Sequence, residues 1–213
     1  MVMTRRKLLG HCTVLALAGA GLPSKAAGAQ VILVVGDSLS AEYGLERGKG
    51  WVSLLEQRLK ADKLPATVVN ASISGDTTSG GRSRLPLLLK QHKPTLVVLE
   101  LGGNDALRGL PLSMTRDNLL AMARAAKAAG AKVLVVGMQV PPNYGRQYSN
   151  DFAALFQSVA KTEKAALVPF LLKGVADAPD AEAMFQADRI HPREQAHPIM
   201  LANVWVGLKP LLR

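Results

Sequence analysis

Apolar residues fall in five short runs along the chain, and between the runs their spacing changes to every third or fourth position. The first run, Val31-Ile32-Leu33-Val34-Val35, is rich in β-branching and continuous, as a strand buried on both faces requires. Four more follow: Ala66-Thr67-Val68-Val69, Thr95-Leu96-Val97-Val98-Leu99, Lys132-Val133-Leu134-Val135-Val136 and the shorter Ala165-Ala166-Leu167-Val168. The intervening segments carry helical spacing, at Trp51, Leu54, Leu55 and Leu59, at Leu119, Met122, Ala123 and Ala126, and at Phe152, Leu155, Phe156 and Val159. Gly130 stops the second of these, and a closing helix with Leu201, Val204, Trp205 and Leu208 precedes Pro210. Strand and helix alternate throughout. The pattern predicts an α/β fold, a five-stranded parallel sheet in a three-layer α/β/α sandwich, with Trp51 and Trp205 in its core.

Residues 1–29 stand outside this alternation. Arg5-Arg6-Lys7 precede an apolar stretch from Leu8 to Leu22, and Ala27-Gly28-Ala29 has the small residues of a cleavage site, so this segment reads as a signal peptide. The stretch is short for a bilayer span and is interrupted by His11. Thr4-Arg5-Arg6-Lys7-Leu8-Leu9 also resembles a twin-arginine export signal, but paired basic residues are common in ordinary leaders too. Cleavage near Ala29 leaves one domain, residues 30–213, without a stable membrane anchor and destined for the periplasm or the exterior. The single cysteine, Cys12, leaves with the leader, which suits an oxidising compartment and removes thiolate chemistry. The formal charge of +10 falls to +6 without Arg5, Arg6, Lys7 and Lys25, and the remaining basic residues are scattered among acidic ones. With only 4% aromatic residues and no basic stripe, nucleic acid is not an expected partner.

The loops that follow the strands differ in composition from everything else. They are Gly36-Asp37-Ser38-Leu39-Ser40, Asn70-Ala71-Ser72-Ile73-Ser74-Gly75-Asp76-Thr77, Gly102-Gly103-Asn104-Asp105 and Pro141-Pro142-Asn143-Tyr144-Gly145. Parallel strands put all four at one edge of the sheet, where small polar loops let backbone N–H groups reach a ligand. Ser38 there can act as a nucleophile, although Gly36-Asp37-Ser38 alone is equally a turn with a helix cap. A serine hydroxyl needs a base. Of the three histidines beyond the leader, His92 follows a helix at the opposite edge, and His197, before Pro198, reads as a helix start. His191 remains, with Asp188 three residues earlier, close enough for the carboxylate to hold one ring nitrogen while the other faces Ser38. In isolation Asp188-x-x-His191 is also a common loop ion pair.

In order and at this spacing, Gly36-Asp37-Ser38-Leu39, Gly75, Gly102-Gly103-Asn104-Asp105 and Asp188-x-x-His191 resemble the blocks of the SGNH (GDSL) hydrolases. Within that family, Asn70 to Thr77, Glu100 to Asp105 and Pro142 to Arg146 resemble the bacterial periplasmic acyl-CoA thioesterase I, lysophospholipase and arylesterase group, and the likeness spans residues 31–210. The resemblance implies the family's flavodoxin-like sandwich. It also implies Ser38 as nucleophile, His191 as general acid/base and Asp188 as its orienting partner. The oxyanion hole it implies consists of the Ser38 and Gly75 backbone N–H groups and the Asn104 side-chain amide. It implies no metal or organic cofactor, and as substrate a small acyl ester, thioester or lysophospholipid cleaved through an acyl-enzyme. Asp37 and Asp105 are expected to support loops or cap helices, and the loop from Gly75 to Gly81 to move on substrate binding.

Rival readings rest on the same loops. A metallophosphoesterase also uses Gly-Asp and Gly-Asn turns but needs an Asp-x-His and a His-x-His, which this chain lacks. A periplasmic binding module without catalysis leaves Ser38, Asp188 and His191 unexplained. A carbohydrate O-acetylesterase on the same fold shares every catalytic residue and differs only in substrate.

Overall fold

The computed structural model describes residues 30–212, so the leader assigned to residues 1–29 lies outside the described residues. The five apolar runs form β1 (Gln30–Gly36), β2 (Ala66–Asn70), β3 (Leu96–Glu100), β4 (Lys132–Val136) and β5 (Ala166–Val168). They make one sheet in the order β2-β1-β3-β4-β5, parallel at every pairing. Strand positions agree with the sequence reading to within a residue or two at the ends. Ile32 to Val35 of β1 and Val97 to Leu99 of β3 are wholly buried, which is why these runs are continuous. β2 is an edge strand and only half-buried, and its Ala-Thr-Val-Val-Asn sequence is correspondingly mixed.

Among the described residues there are seven α-helices, the longer of which cover the two faces of the sheet. They are α1 (Trp51–Ala61), α2 (Thr78–His92), α3 (Gly103–Leu107), α4 (Leu112–Ala128), α5 (Arg146–Glu163), α6 (Ala181–Met184) and α7 (His197–Leu208). α1 packs on α7 on one side, while α2, α4 and α5 pack in a row on the other. The four helices named from spacing, α1, α4, α5 and α7, bury most of their expected stripes, as α5 does with Phe152, Leu155, Phe156 and Val159. There Phe152 meets Phe156 edge to face at 5.2 Å. Burying each such ring contributes about 1.5–3 kcal/mol.

The expected loop from Gly75 to Gly81 is shorter than the sequence reading placed it, because α2 begins at Thr78. Thr77 caps that start by accepting from the Gly80 N–H at 3.3 Å. Gly80, Gly81 and Pro86 inside the helix disguise it, since all three are poor helix residues. His197 does begin a helix and does more besides. It is buried, and its Nδ1 accepts from the Trp51 N–H at 3.0 Å, joining the first turns of α1 and α7. Among the described residues no helix is long and apolar enough to cross a membrane.

Neighbouring strands β1 and β3 pair Gly36 with Glu100 at their carboxyl ends. A Cβ at Gly36 would lie 2.7 Å from Ser40 Oγ and 2.8 Å from Glu100 Oε2, so no larger residue fits beneath the loop that follows. Gly36→Ala is therefore expected to destabilise the protein by roughly 1–3 kcal/mol through overpacking. Denaturant unfolding measures this, and an unshifted midpoint would show that the Ser40 and Glu100 contact yields freely.

Candidate active site

The order of the sheet reverses between β1 and β3, and the loops leaving their carboxyl ends part there, opening the crevice where ligands bind in such sheets. Ser38 stands two residues beyond β1. Asp37 Oδ1 accepts from the Leu39 N–H at 3.0 Å, and the Asp37 carbonyl accepts from the N–H groups of Ser40 and Ala41. The turn and the candidate nucleophile's position thus coincide, because the same Asx turn that the cap reading anticipates lifts Ser38 out of the strand.

His191 arrives from the other end of the chain, 153 residues from Ser38, and its Nε2 lies 2.8 Å from Ser38 Oγ. Its Nδ1 is 2.7 Å from Asp188 Oδ2. Asp188 Oδ1 meanwhile accepts from the backbone N–H groups of Ile190 and His191. These donors, the His191 ring first, hold the exposed Asp188 carboxyl down at about 2. An ionised acceptor at Nδ1 fixes the proton there and leaves Nε2 free to accept from the serine hydroxyl.

Two residues that sequence reasoning missed position this loop. The Gln186 side-chain amide donates to the carbonyls of Tyr43 at 3.0 Å and Pro192 at 3.2 Å, fastening the His191 loop to the Ser38 loop. The Tyr43 ring lies against the imidazole with centroids 4.2 Å apart. Neither has a local signature, since both act through partners about 150 positions away.

Gly75 occupies the turn after β2 with φ +78°, a conformation that disfavours a side chain, and a Cβ there would come within 3.8 Å of the Arg108 guanidinium. Arg108 donates to its carbonyl at 2.7 Å. From α2, Arg84 binds Asp76 Oδ2 at 2.8 Å and donates to the carbonyls of Gly36 and Ala71, so one guanidinium ties this turn to β1. Neither the Gly75 N–H nor the Ser38 N–H has an acceptor among the described residues. Asn104, in the first turn of α3, directs its amide nitrogen to Asp37 Oδ2 at 3.1 Å and to the Asp76 carbonyl at 2.9 Å. Its two hydrogens are thus already committed, and an incoming oxyanion would have to share or displace the Asp76 carbonyl. Asp105, wholly buried, accepts from Thr78 N–H and Oγ–H and from Thr115, so it caps α2 and holds α4 as a support residue should.

Beneath the Ser38 loop lies Glu100, also missed because it looks like the last residue of an apolar strand. It is 0% exposed, accepts from the Ser40 hydroxyl at 2.6 Å and the Asp37 N–H, and leaves Oε1 without a partner. Burial first, then the nearby Asp37 charge, raises its pKa well above the usual carboxylate range and favours the neutral acid. Asp37 is itself pushed up to about 6, chiefly by burial. Among the described residues no group of three or more His, Cys, Asp or Glu side chains converges as a metal site would need.

A family model for the GDSL-like lipase/acylhydrolase family matches residues 34–199. Esterase TesA of Pseudomonas aeruginosa is 51% identical over 208 residues, covering 98% of this chain and 100% of that protein. Thioesterase 1/protease 1/lysophospholipase L1 of Escherichia coli K12 is 40% identical over 191 residues, covering 90% of this chain and 89% of its own length. Among solved structures, the psychrotrophic esterase EstA from Pseudoalteromonas sp., inhibited by monoethylphosphonate, matches with a TM-score of 0.80 at 37% identity. That match covers 86% of this chain and 98% of EstA.

A carboxyl with a raised folded pKa stabilises the native state fully below its unfolded value, 4.5 for Glu100, and that contribution is lost as pH rises toward the folded value. Glu100→Gln removes the titration while keeping the shape. The melting temperature of the variant relative to wild type should therefore climb as pH rises above 4.5. Parallel melting curves across that range would mean that Glu100 binds no extra proton in the folded protein.

Proposed function

The chain belongs to the GDSL-like lipase/acylhydrolase family and is a carboxylic ester hydrolase, and we propose that it acts on acyl esters and thioesters through an acyl-enzyme at Ser38. The observation that carries this reading is the unbroken line from Ser38 Oγ to His191 Nε2 and from His191 Nδ1 to Asp188. Ser38 attacks the substrate carbonyl while His191 Nε2 takes its proton. The charge that develops on the carbonyl oxygen meets the N–H groups of Ser38 and Gly75, fixed before that charge exists, and the Asn104 amide as the oxygen shares or displaces its Asp76 contact. Collapse of the intermediate expels the alcohol or thiol, to which His191 returns the proton, and water attacks the acyl-serine by the same route. Asp188 stays ionised throughout and stabilises the imidazolium.

A hydrophobic acyl group suits the surroundings. Tyr43, Ile73, Leu107 and Ile190 belong to the same loops as the reacting groups and are each about half exposed. Such side chains favour contact with an acyl chain, in keeping with relatives whose names include arylesterase, thioesterase and lysophospholipase. We further assign residues 1–29 to a cleaved leader and the remainder to the periplasm or the exterior. N-terminal sequencing of exported protein should start near Gln30, and a start at Met1 would refute the cleavage.

Ser38→Ala is expected to reduce ester turnover on the order of 10⁶-fold and to abolish covalent labelling by a phosphonate, while the fold melts normally. Stoichiometric labelling of that variant would move the nucleophile elsewhere. A panel of p-nitrophenyl esters, acyl-CoAs, lysophospholipid and acetylated sugars then places the substrate class, and a preference confined to acetylated sugars overturns the acyl-chain reading.

A further inference from the structure

Asp37 adjoins the nucleophile, takes no part in the proton relay, and is only 2% exposed. No lysine or arginine pairs with it among the described residues, and burial opposes its ionisation. An amide of the same shape would avoid that cost, so the carboxylate must do something that an amide cannot. Its oxygens face two donors at once. Oδ1 receives the Leu39 N–H at 3.0 Å and Oδ2 the Asn104 amide nitrogen at 3.1 Å. The second Asn104 hydrogen goes to the Asp76 carbonyl at 2.9 Å.

A primary amide has two nearly equal ends, and only one is useful in an oxyanion hole. Asn104 turned over would present an oxygen, which repels a developing negative charge. Here both neighbours of its nitrogen are acceptors, so the flipped amide would set its oxygen against two others. The Asp76 carbonyl sits in a turn held by Arg108 and Arg84, whereas Asp37 projects from the nucleophile loop itself.

We propose that Asp37 is a positioning residue for the oxyanion hole, its carboxylate selecting the orientation of Asn104 in which nitrogen rather than oxygen faces the reacting carbonyl. This rests on the reading of Asn104 as an oxyanion donor. Asparagine at position 37 offers one oxygen and one NH₂ to two donors. Whichever way it turns, either Leu39 or Asn104 meets another donor, and the easiest relief is a flip of Asn104.

The test is a double-mutant cycle in the full-length mature enzyme, read by steady-state kinetics on one soluble short-chain ester and by thermal melts at pH 8. Asp37→Asn should lower kcat about a hundredfold, the scale of losing one hole donor, with KM little changed. Its melting temperature should hold or rise, because a buried carboxylate has become neutral. Asp37→Ser, whose hydroxyl still accepts from Leu39 but falls short of Asn104, should show the same kcat loss and guards against a folding defect peculiar to asparagine. The Asp37→Asn, Asn104→Ala double variant should be no slower than Asn104→Ala alone. Multiplying losses, or kcat and melting temperature falling together in both Asp37 variants, would overturn the positioning role. So would a loss in Asn104→Ala with none in Asp37→Asn, which leaves the oxyanion reading intact. A kcat within tenfold of wild type for Asn104→Ala sinks the oxyanion reading itself, and the role of Asp37 with it.

Discussion

Everything at the catalytic edge depends on the register of β1 against β3. Gly36 pairs with Glu100, and this places the one residue without a side chain opposite a long buried one. A slip by one position would reverse every side chain between the faces of the sheet and bury the polar loops. In register, Glu100 fills the space that Gly36 leaves, binds Ser40 and the Asp37 N–H, and so fixes the height and direction from which Ser38 leaves the strand. The same pairing brings the end of β3 alongside, so that Asn104 in the next turn reaches Asp37. Nucleophile and proposed oxyanion donor are neighbours because two strands are neighbours.

The carboxyl groups around the site separate by environment. Asp188 lies in an exposed loop, surrounded by donors that favour its charge, and is held near 2. Asp37 and Glu100 lie in the interior, where burial favours the neutral form of both and the nearby Asp37 charge raises Glu100 further. Groups pushed apart in this way take different work. The acidic one keeps an imidazole in a single tautomer, and the buried pair shapes a loop. Proximity to Ser38 is thus a poor guide to role, since Asp37 is next to it in sequence and has no access to its proton.

Much of the fold was legible because its main signal is local. Continuous apolar runs mark strands covered on both faces, and one-sided stripes mark helices, so all five strands and the four helices named from spacing lie where the pattern placed them. Ser38, Asp188 and His191 were legible for a different reason. Few residue types can do that chemistry, and of the two histidines with a carboxylate three residues earlier, His197 after Glu194 reads as a helix start before Pro198, which leaves His191. What escaped has no local signal. Glu100 ends an apolar run and is explained only by Ser40, sixty positions earlier. Gln186 matters through two carbonyls, one of them at Tyr43 on a distant loop. The start of α2 was hidden because its cap at Thr77 and the grip of Asp105 on Thr78 outweigh the unfavourable propensity of two glycines and a proline.

The last strand ends at Val168, and the proposed base and its partner, His191 and Asp188, come only twenty or so residues later. The sheet can therefore be complete in a chain that has no working base. The sheet is complete by Val168, whereas the proposed triad closes only where the tail crosses back over the sheet edge and Gln186 meets the Tyr43 carbonyl. On the proposed mechanism, ester turnover therefore reports the return of the tail, which the completed sheet alone does not.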